Sequence, residues 1–104
     1  MKPEKLKLGA HEWKILWEEP PEELLEEYDV DKASGLYHDP YGVIYISPEC
    51  SIQRQKVTLL HEAIHALALC HGVSLKEIEV EALGNALYDF IRQNPKIIKW
   101  VNNP

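Results

Sequence analysis

The chain has 104 residues, a formal net charge of -6 at pH 7, 45% hydrophobic residues and 27% charged residues. This composition is typical of an ordinary soluble protein with one modest core, and the acidic balance argues against a nucleic-acid surface, which needs clustered lysine and arginine. No apolar run is long enough to span a membrane and no signal peptide is visible, so we expect a cytoplasmic protein with no membrane or nucleic-acid partner. Cys50 and Cys70 are too few for a disulfide framework and are expected to be reduced.

The first half of the chain predicts a small sheet and one short helix. Large apolar and polar residues alternate over residues 11–18, which is typical of a half-buried strand, and the lysines before them are expected in a solvated tail. Residues 22–28 follow two prolines and begin with acids, which favours a helix. Residues 36–38 and 42–47 flank a turn with proline and glycine and predict a hairpin. Its second strand is expected beside the following helix, with a free edge for an extended peptide.

The second half of the chain predicts three helices. A long helix over residues 52–71 begins after Ser51 and ends at Gly72. Ser74 and Glu77 have the spacing of a capping box, so a second helix is expected from there to the Asn-Pro pair at residues 94 and 95. A short closing helix is expected to bury apolar residues of the tail, namely Ile97, Ile98 and Trp100 or Val101.

Residues 61–65 read His-Glu-Ala-Ile-His and carry the most chemistry in the chain. Positions four apart on a helix lie about 40° from each other around the axis, so His61 and His65 can bind one ion. Glu62 points elsewhere around the helix, near enough to hold a metal-bound water. This is the arrangement of zinc hydrolases, in which the glutamate is the general base. The alternative is two structural histidines in a buried helix, although a buried imidazole pair needs partners and a metal supplies one for both.

A catalytic zinc site usually has a third protein ligand. We expect Glu79, because it is the one acid in register with the apolar stripe of its helix, where a carboxylate is costly unless paired or bound to a metal. Glu81 is expected on a solvated face and Glu77 in the capping box. His71 has the spacing of the third metzincin ligand, but Ala68 replaces the metzincin glycine and favours continued helix. Glu81, Glu77 and His71 therefore remain alternatives to Glu79. The stripe comprises Leu75, Ile78, Leu83, Ala86, Leu87 and Phe90.

The chain resembles the ImmA/IrrE-type metallopeptidases, which are small gluzincin-like proteins common in phages and mobile elements. The resemblance covers about residues 35–95 and rests on three stretches: the hairpin strand 42–46, the helix 58–65 and the acidic helix 77–83. It implies a zinc-dependent endopeptidase that acts on a protein such as a repressor. It also implies that His61 and His65 are ligands, that Glu62 is the base and that an acid of the next helix is the third ligand.

We therefore expect residues 1–104 to form one zincin-like α+β domain, a small sheet packed on the active-site helix with a second long helix supplying the third ligand. The expected function is a zinc metallopeptidase that hydrolyses a peptide bond in a protein or peptide substrate, with Glu62 activating a zinc-bound water. The alternative is a catalytically inactive, zinc-stabilised protein-interaction module, because a small domain gains stability from a metal. Tyr45, Tyr88 and His71 are candidate oxyanion donors, and the sequence does not choose among them.

Overall fold

The computed structural model describes residues 2–27, 35–38 and 42–104, with the backbone alone at Tyr37 and His38. The fold is α+β, as predicted, with a four-stranded mixed sheet and four helices in the described part of the chain. The central turn of the predicted hairpin, at residues 39–41, lies outside the described residues. The elements are β1 (Lys5–Leu8), β2 (His11–Leu16), α1 (Glu22–Glu27), β3 (Gly35–His38), β4 (Val43–Ile46), α2 (Ile52–Cys70), α3 (Glu77–Gln93) and α4 (Pro95–Asn102).

The strands lie in the order β1-β2-β4-β3. β1 and β2 form an antiparallel hairpin, β2 and β4 are parallel, and β3 and β4 are antiparallel. The prediction of a solvated N-terminal tail is wrong, because Leu6 and Leu8 alternate with the lysines and pack against the core. The predicted free edge on β4 is also wrong, since β4 lies between β2 and β3, and the edge strands of the described sheet are β1 and β3.

Helix α2 covers one face of the sheet. It begins where predicted, with the Ser51 hydroxyl accepting a hydrogen bond from the backbone N–H of Arg54 at 3.2 Å. It ends at Cys70, with His71 as the C-cap and Gly72 at a φ of 66°, a conformation that favours glycine. The core beneath this helix is made of Trp13, Ile15, Ile44, Ile46 and Ala66.

Helix α3 packs across α2, with Val80, Gly84 and Tyr88 on its buried face. The prediction that its large apolar residues are buried is wrong, since Ile78 is 73% exposed and Leu83 is 48% exposed. The reason is close approach: Gly84 has no side chain and lies against the backbone of α2, so the helix turns that face inward. The start of α3 also differs from the prediction, because Lys76 and not Ser74 is its N-cap.

Helix α4 follows Asn94 and packs against α3. Proline at the first position of the helix explains its sharp start, because that residue needs no backbone donor there. The expected helix is present, but the expected burial is wrong: Trp100 is 78% exposed and Val101 is 66% exposed. None of the helices in the described part of the chain is both long enough and apolar enough to cross a membrane.

Candidate metal centre

Two histidines of α2 and one glutamate of α3 converge at the crossing of the two helices. The Nε2 of His61 lies 2.7 Å from Oε1 of Glu77, and the Nε2 of His65 lies 2.9 Å from Oε2 of the same carboxylate. The two imidazole rings leave the same face of α2, with centroids 5.0 Å apart and ring planes at 65°. A single carboxylate is therefore shared by the two rings, as the four-residue spacing of the histidines allows.

The three side chains form a group that can hold a metal ion, because one ligand atom from each lies within 4.8 Å of the others. A tetrahedral zinc site with bonds of about 2.0–2.2 Å separates its ligand atoms by about 3.4 Å, so the side chains need only a small outward shift to fit the ion. Each Nε2 faces a carboxylate oxygen, which accepts a hydrogen bond when that nitrogen carries the ring proton. A metal binds the lone pair of Nε2, so a neutral ring that holds a metal carries its proton on Nδ1.

The electrostatics of His65 suit a ligand. Burial lowers the pKa of its imidazole below the ordinary value of 6.5; the Glu77 carboxylate opposes this change and nearby His61 adds to it. A lowered pKa keeps the ring neutral over a wider range of pH. Neutral imidazole is the form that binds a metal, so burial prepares this side chain for that role.

The structure brings Glu77, and not Glu79, to the histidines. The Oε1 of Glu79 accepts a hydrogen bond of 2.7 Å from the backbone N–H of Lys76, the N-cap residue of α3. The prediction that Glu77 has the capping role is therefore wrong, because the helix begins after Lys76 and not after Ser74. The signal that identifies Glu77 is its position seven residues before Gly84, two turns earlier on the face that meets α2.

The other candidate ligands lie away from the centre. Helix α2 continues through Ala68, as predicted, and leaves His71 exposed at its C-terminal end. Glu81 is exposed on α3 and does not belong to the group of three. The side chain of His38 lies outside the described residues.

Glu62 occupies the next position on α2 and is buried, with 6% of its surface exposed. It points toward β3, about 100° around the helix from His61. A Cβ on Gly35 would lie 3.4 Å from Cγ of Glu62 and 3.1 Å from the backbone oxygen of Tyr45. β3 therefore approaches Glu62 closely because residue 35 is glycine.

The candidate oxyanion donors are not brought together with the histidines. The hydroxyl of Tyr88 is buried on α3 and accepts a hydrogen bond of 2.8 Å from Nη1 of Arg92. Tyr45 is half-buried on β4. In the described part of the chain, the centre therefore consists of three side chains that could hold a metal and one neighbouring buried acid.

No protein-family model, no curated protein and no solved structure matches this chain. The chemistry assigned to the centre therefore depends on the geometry of its own residues.

Proposed function

We propose that this protein is a zinc-dependent peptidase with a minimal zincin-like fold, of the ImmA/IrrE type, in which His61, His65 and Glu77 hold the metal. The observation that carries the proposal is the carboxylate of Glu77, which faces Nε2 of both histidines at 2.7 Å and 2.9 Å. Two imidazoles and one carboxylate form the ligand set of several catalytic zinc sites, and such a set leaves a fourth position open.

The chain's own residues divide the chemistry between them. Zinc, when bound, supplies a Lewis acid that polarises a carbonyl and makes water more acidic. Glu62 acts as the general base that accepts a proton from the attacking water and passes it to the leaving amine. Its burial beside the histidine face supports this role, because packing restricts a buried side chain to few orientations.

The centre is accessible to a large substrate. The side chain of Glu77 is 68% exposed, whereas those of His61 and His65 are 20% and 18% exposed. An open centre of this kind suits a peptide segment of a protein, which approaches from solvent and needs no enclosed cavity. A protein or peptide substrate is therefore the substrate class that we propose.

A zinc-stabilised interaction module is the second candidate. The observation that favours it is the position of Tyr88, one candidate oxyanion donor, whose hydroxyl is beside Arg92. In this case the metal joins α2 to α3 and stabilises the fold without turnover.

Metal content and hydrolysis of fluorescein-labelled, unfolded casein test the proposal together. We expect about one zinc per chain and chelator-sensitive cleavage, with Glu62→Gln retaining the zinc and losing cleavage because an amide cannot accept the proton. Glu81→Gln, an acid of α3 outside the group, is the matched control and should cleave normally. Bound zinc with equal background cleavage in wild type and Glu62→Gln would favour the module. A chain that binds no zinc on titration would contradict both functions.

A further inference from the structure

An open cleft lies between the first half of α2, the second half of α3 and the N-terminal segment, and we call it the α2–α3 cleft. It has a volume of about 840 Å³, within the range of roughly 300–1,000 Å³ that is typical of small-ligand sites. The indole Nε1 of Trp17 donates a hydrogen bond of 2.7 Å to the backbone oxygen of Pro3, which holds the N-terminal segment against the cleft. The apolar part of the lining is Pro3, Trp17, Ile52, Leu59, Leu60 and Ile91.

The charged side chains that line this cleft are all cationic: Lys2, Lys56 and Arg92, each from a different part of the chain. These positive charges are clustered here although the chain as a whole has a net charge of -6. Lys2 lies over the ring of Trp17, with Nζ 4.8 Å from its centroid. Arg92 uses one of its N–H groups for the hydroxyl of Tyr88. The cleft therefore combines an apolar wall with a positive rim, which is complementary to an apolar ligand with an anionic end.

Gln55 adds a specific polar feature to the same lining. Its Nε2 donates to the backbone oxygens of Pro48 at 3.3 Å and Cys50 at 2.7 Å, which fixes the orientation of the amide. Its Oε1 is buried and has no hydrogen-bond partner in the described structure. An unsatisfied buried acceptor costs about 1–3 kcal/mol, and the residue that carries this acceptor is part of the lining of the cleft.

We propose that the α2–α3 cleft binds the C-terminal end of an apolar peptide. Apolar side chains contact the wall of the cleft, and the terminal carboxylate binds among Lys2, Lys56 and Arg92. Among the described residues, none from a strand lines the cleft, so an internal segment would find no backbone ladder there, whereas a chain end brings its own charge. The proposal does not depend on the metal centre, whose three side chains are absent from this lining.

The first experiment uses acetyl-Leu-Leu-Leu with a free carboxylate as the probe and the same peptide with a C-terminal amide as its control. Binding is followed by the indole N–H signals in ¹⁵N NMR spectra of the full chain. We expect the acid to shift the signal of Trp17 and to bind at least tenfold more tightly than the amide. Trp100, which is 78% exposed on α4, is the internal control for non-specific apolar contact. Equal shifts at Trp17 and Trp100, or equal binding of acid and amide, would overturn the proposal.

Charge-reversal variants locate the carboxylate. Lys56→Glu should abolish the preference for the acid over the amide, whereas Lys96→Glu, an equal charge change on α4, should leave it unchanged. His65→Ala should retain peptide binding, which separates this site from the metal centre. The acidic helix α1 of a second copy is the rival occupant. Dimers that dissociate on Lys56→Glu, detected by light scattering in the absence of peptide, would replace the proposal by self-association.

Discussion

Gly84 of α3 lies against the backbone of His61 in α2. A Cβ at residue 84 would lie 3.5 Å from Cα of His61 and 3.6 Å from its backbone nitrogen, which is ordinary van der Waals contact. The gap between the two helices at this point is therefore just wide enough for one methyl group. Because Glu77 precedes Gly84 by two helical turns on the same face, this contact carries its carboxylate to the two imidazoles.

Substitution of Gly84 should separate helix stability from metal binding. Gly84→Ala fits the available space and should raise the free energy of unfolding by up to about 0.5–1 kcal/mol, because alanine is the better helix former. Gly84→Leu should force α3 away from α2, lower the free energy of unfolding by about 1–3 kcal/mol and weaken zinc binding. Urea denaturation and zinc titration of both variants measure these effects. Unchanged zinc affinity in Gly84→Leu would show that the crossing does not position Glu77.

Single substitutions of Glu77 and Glu79 should show which of the two acids is the proposed metal ligand and which one caps α3. Glu77→Gln should lower zinc affinity by more than roughly 10- to 100-fold, which is the loss typical of removing a residue that only hydrogen-bonds to a metal ligand. Glu79→Gln should cost about 0.5–1.5 kcal/mol of stability at most, the net value of one hydrogen bond, and leave zinc affinity within about threefold of wild type. Isothermal titration calorimetry in a competing chelator measures both. The reverse order of effects would return the assignment to Glu79.

The metal-free protein should lose stability as the pH falls below about 6.5. Burial lowers the pKa of the His65 imidazole below 6.5 in the folded state, so the unfolded chain binds that proton more readily. The contribution of this residue is fully present above 6.5 and is lost as the pH falls through the interval down to the lower folded pKa. Urea midpoints across this interval, with His65→Gln as the comparison, measure it. A His65→Gln variant with the same pH dependence as wild type would contradict this prediction.

A methyl group at residue 35 should displace both β3 and the side chain of Glu62. It would overlap Cγ2 of Thr58 and approach the backbone oxygen of Tyr45 at 3.1 Å, so Gly35→Ala should cost about 1–3 kcal/mol of stability. The double variant Gly35→Ala, Thr58→Ser removes the overlapping methyl and should recover part of that loss. Thermal denaturation of the single and double variants checks the prediction. Equal stability of Gly35→Ala and wild type would show that β3 does not press on α2.

The sequence predicted the elements better than their buried faces. The ends of α2 followed from Ser51 and Gly72, because capping and a positive φ are local properties of the backbone. The inward face of α3 did not follow, because the largest apolar side chains suggested one face, whereas contact with His61 selects the face that carries Gly84. Close approach of two helices depends on the residues of both helices, so the spacing of apolar residues along one helix cannot predict it.

The same limit explains the third member of the centre. The histidine pair follows from spacing within one helix, whereas Glu77 depends on where α3 begins and how it crosses α2. Two capping patterns, from Ser74 and from Lys76, compete over three residues of sequence, and the turn after Gly72 decides between them. β1 was missed for a similar reason, since lysines that alternate with Leu6 and Leu8 look like a solvated segment until β2 pairs with them.

The three side chains proposed to hold the metal all lie within residues 61–77, on two helices that are consecutive in the chain. His61 and Glu77 are 16 residues apart (77 − 61), whereas the paired residues of the parallel strands β2 and β4, such as Lys14 and Val43, are 29 apart (43 − 14). We expect the contact of shorter separation to form first, because pairing distant residues slows folding. If these side chains hold a metal as proposed, we expect α2 and α3 to be able to capture it before the sheet is complete. Glu62 gains its contact with Gly35 only when β3 packs on α2, so the proposed ligands are expected to come together before the surroundings of the proposed base.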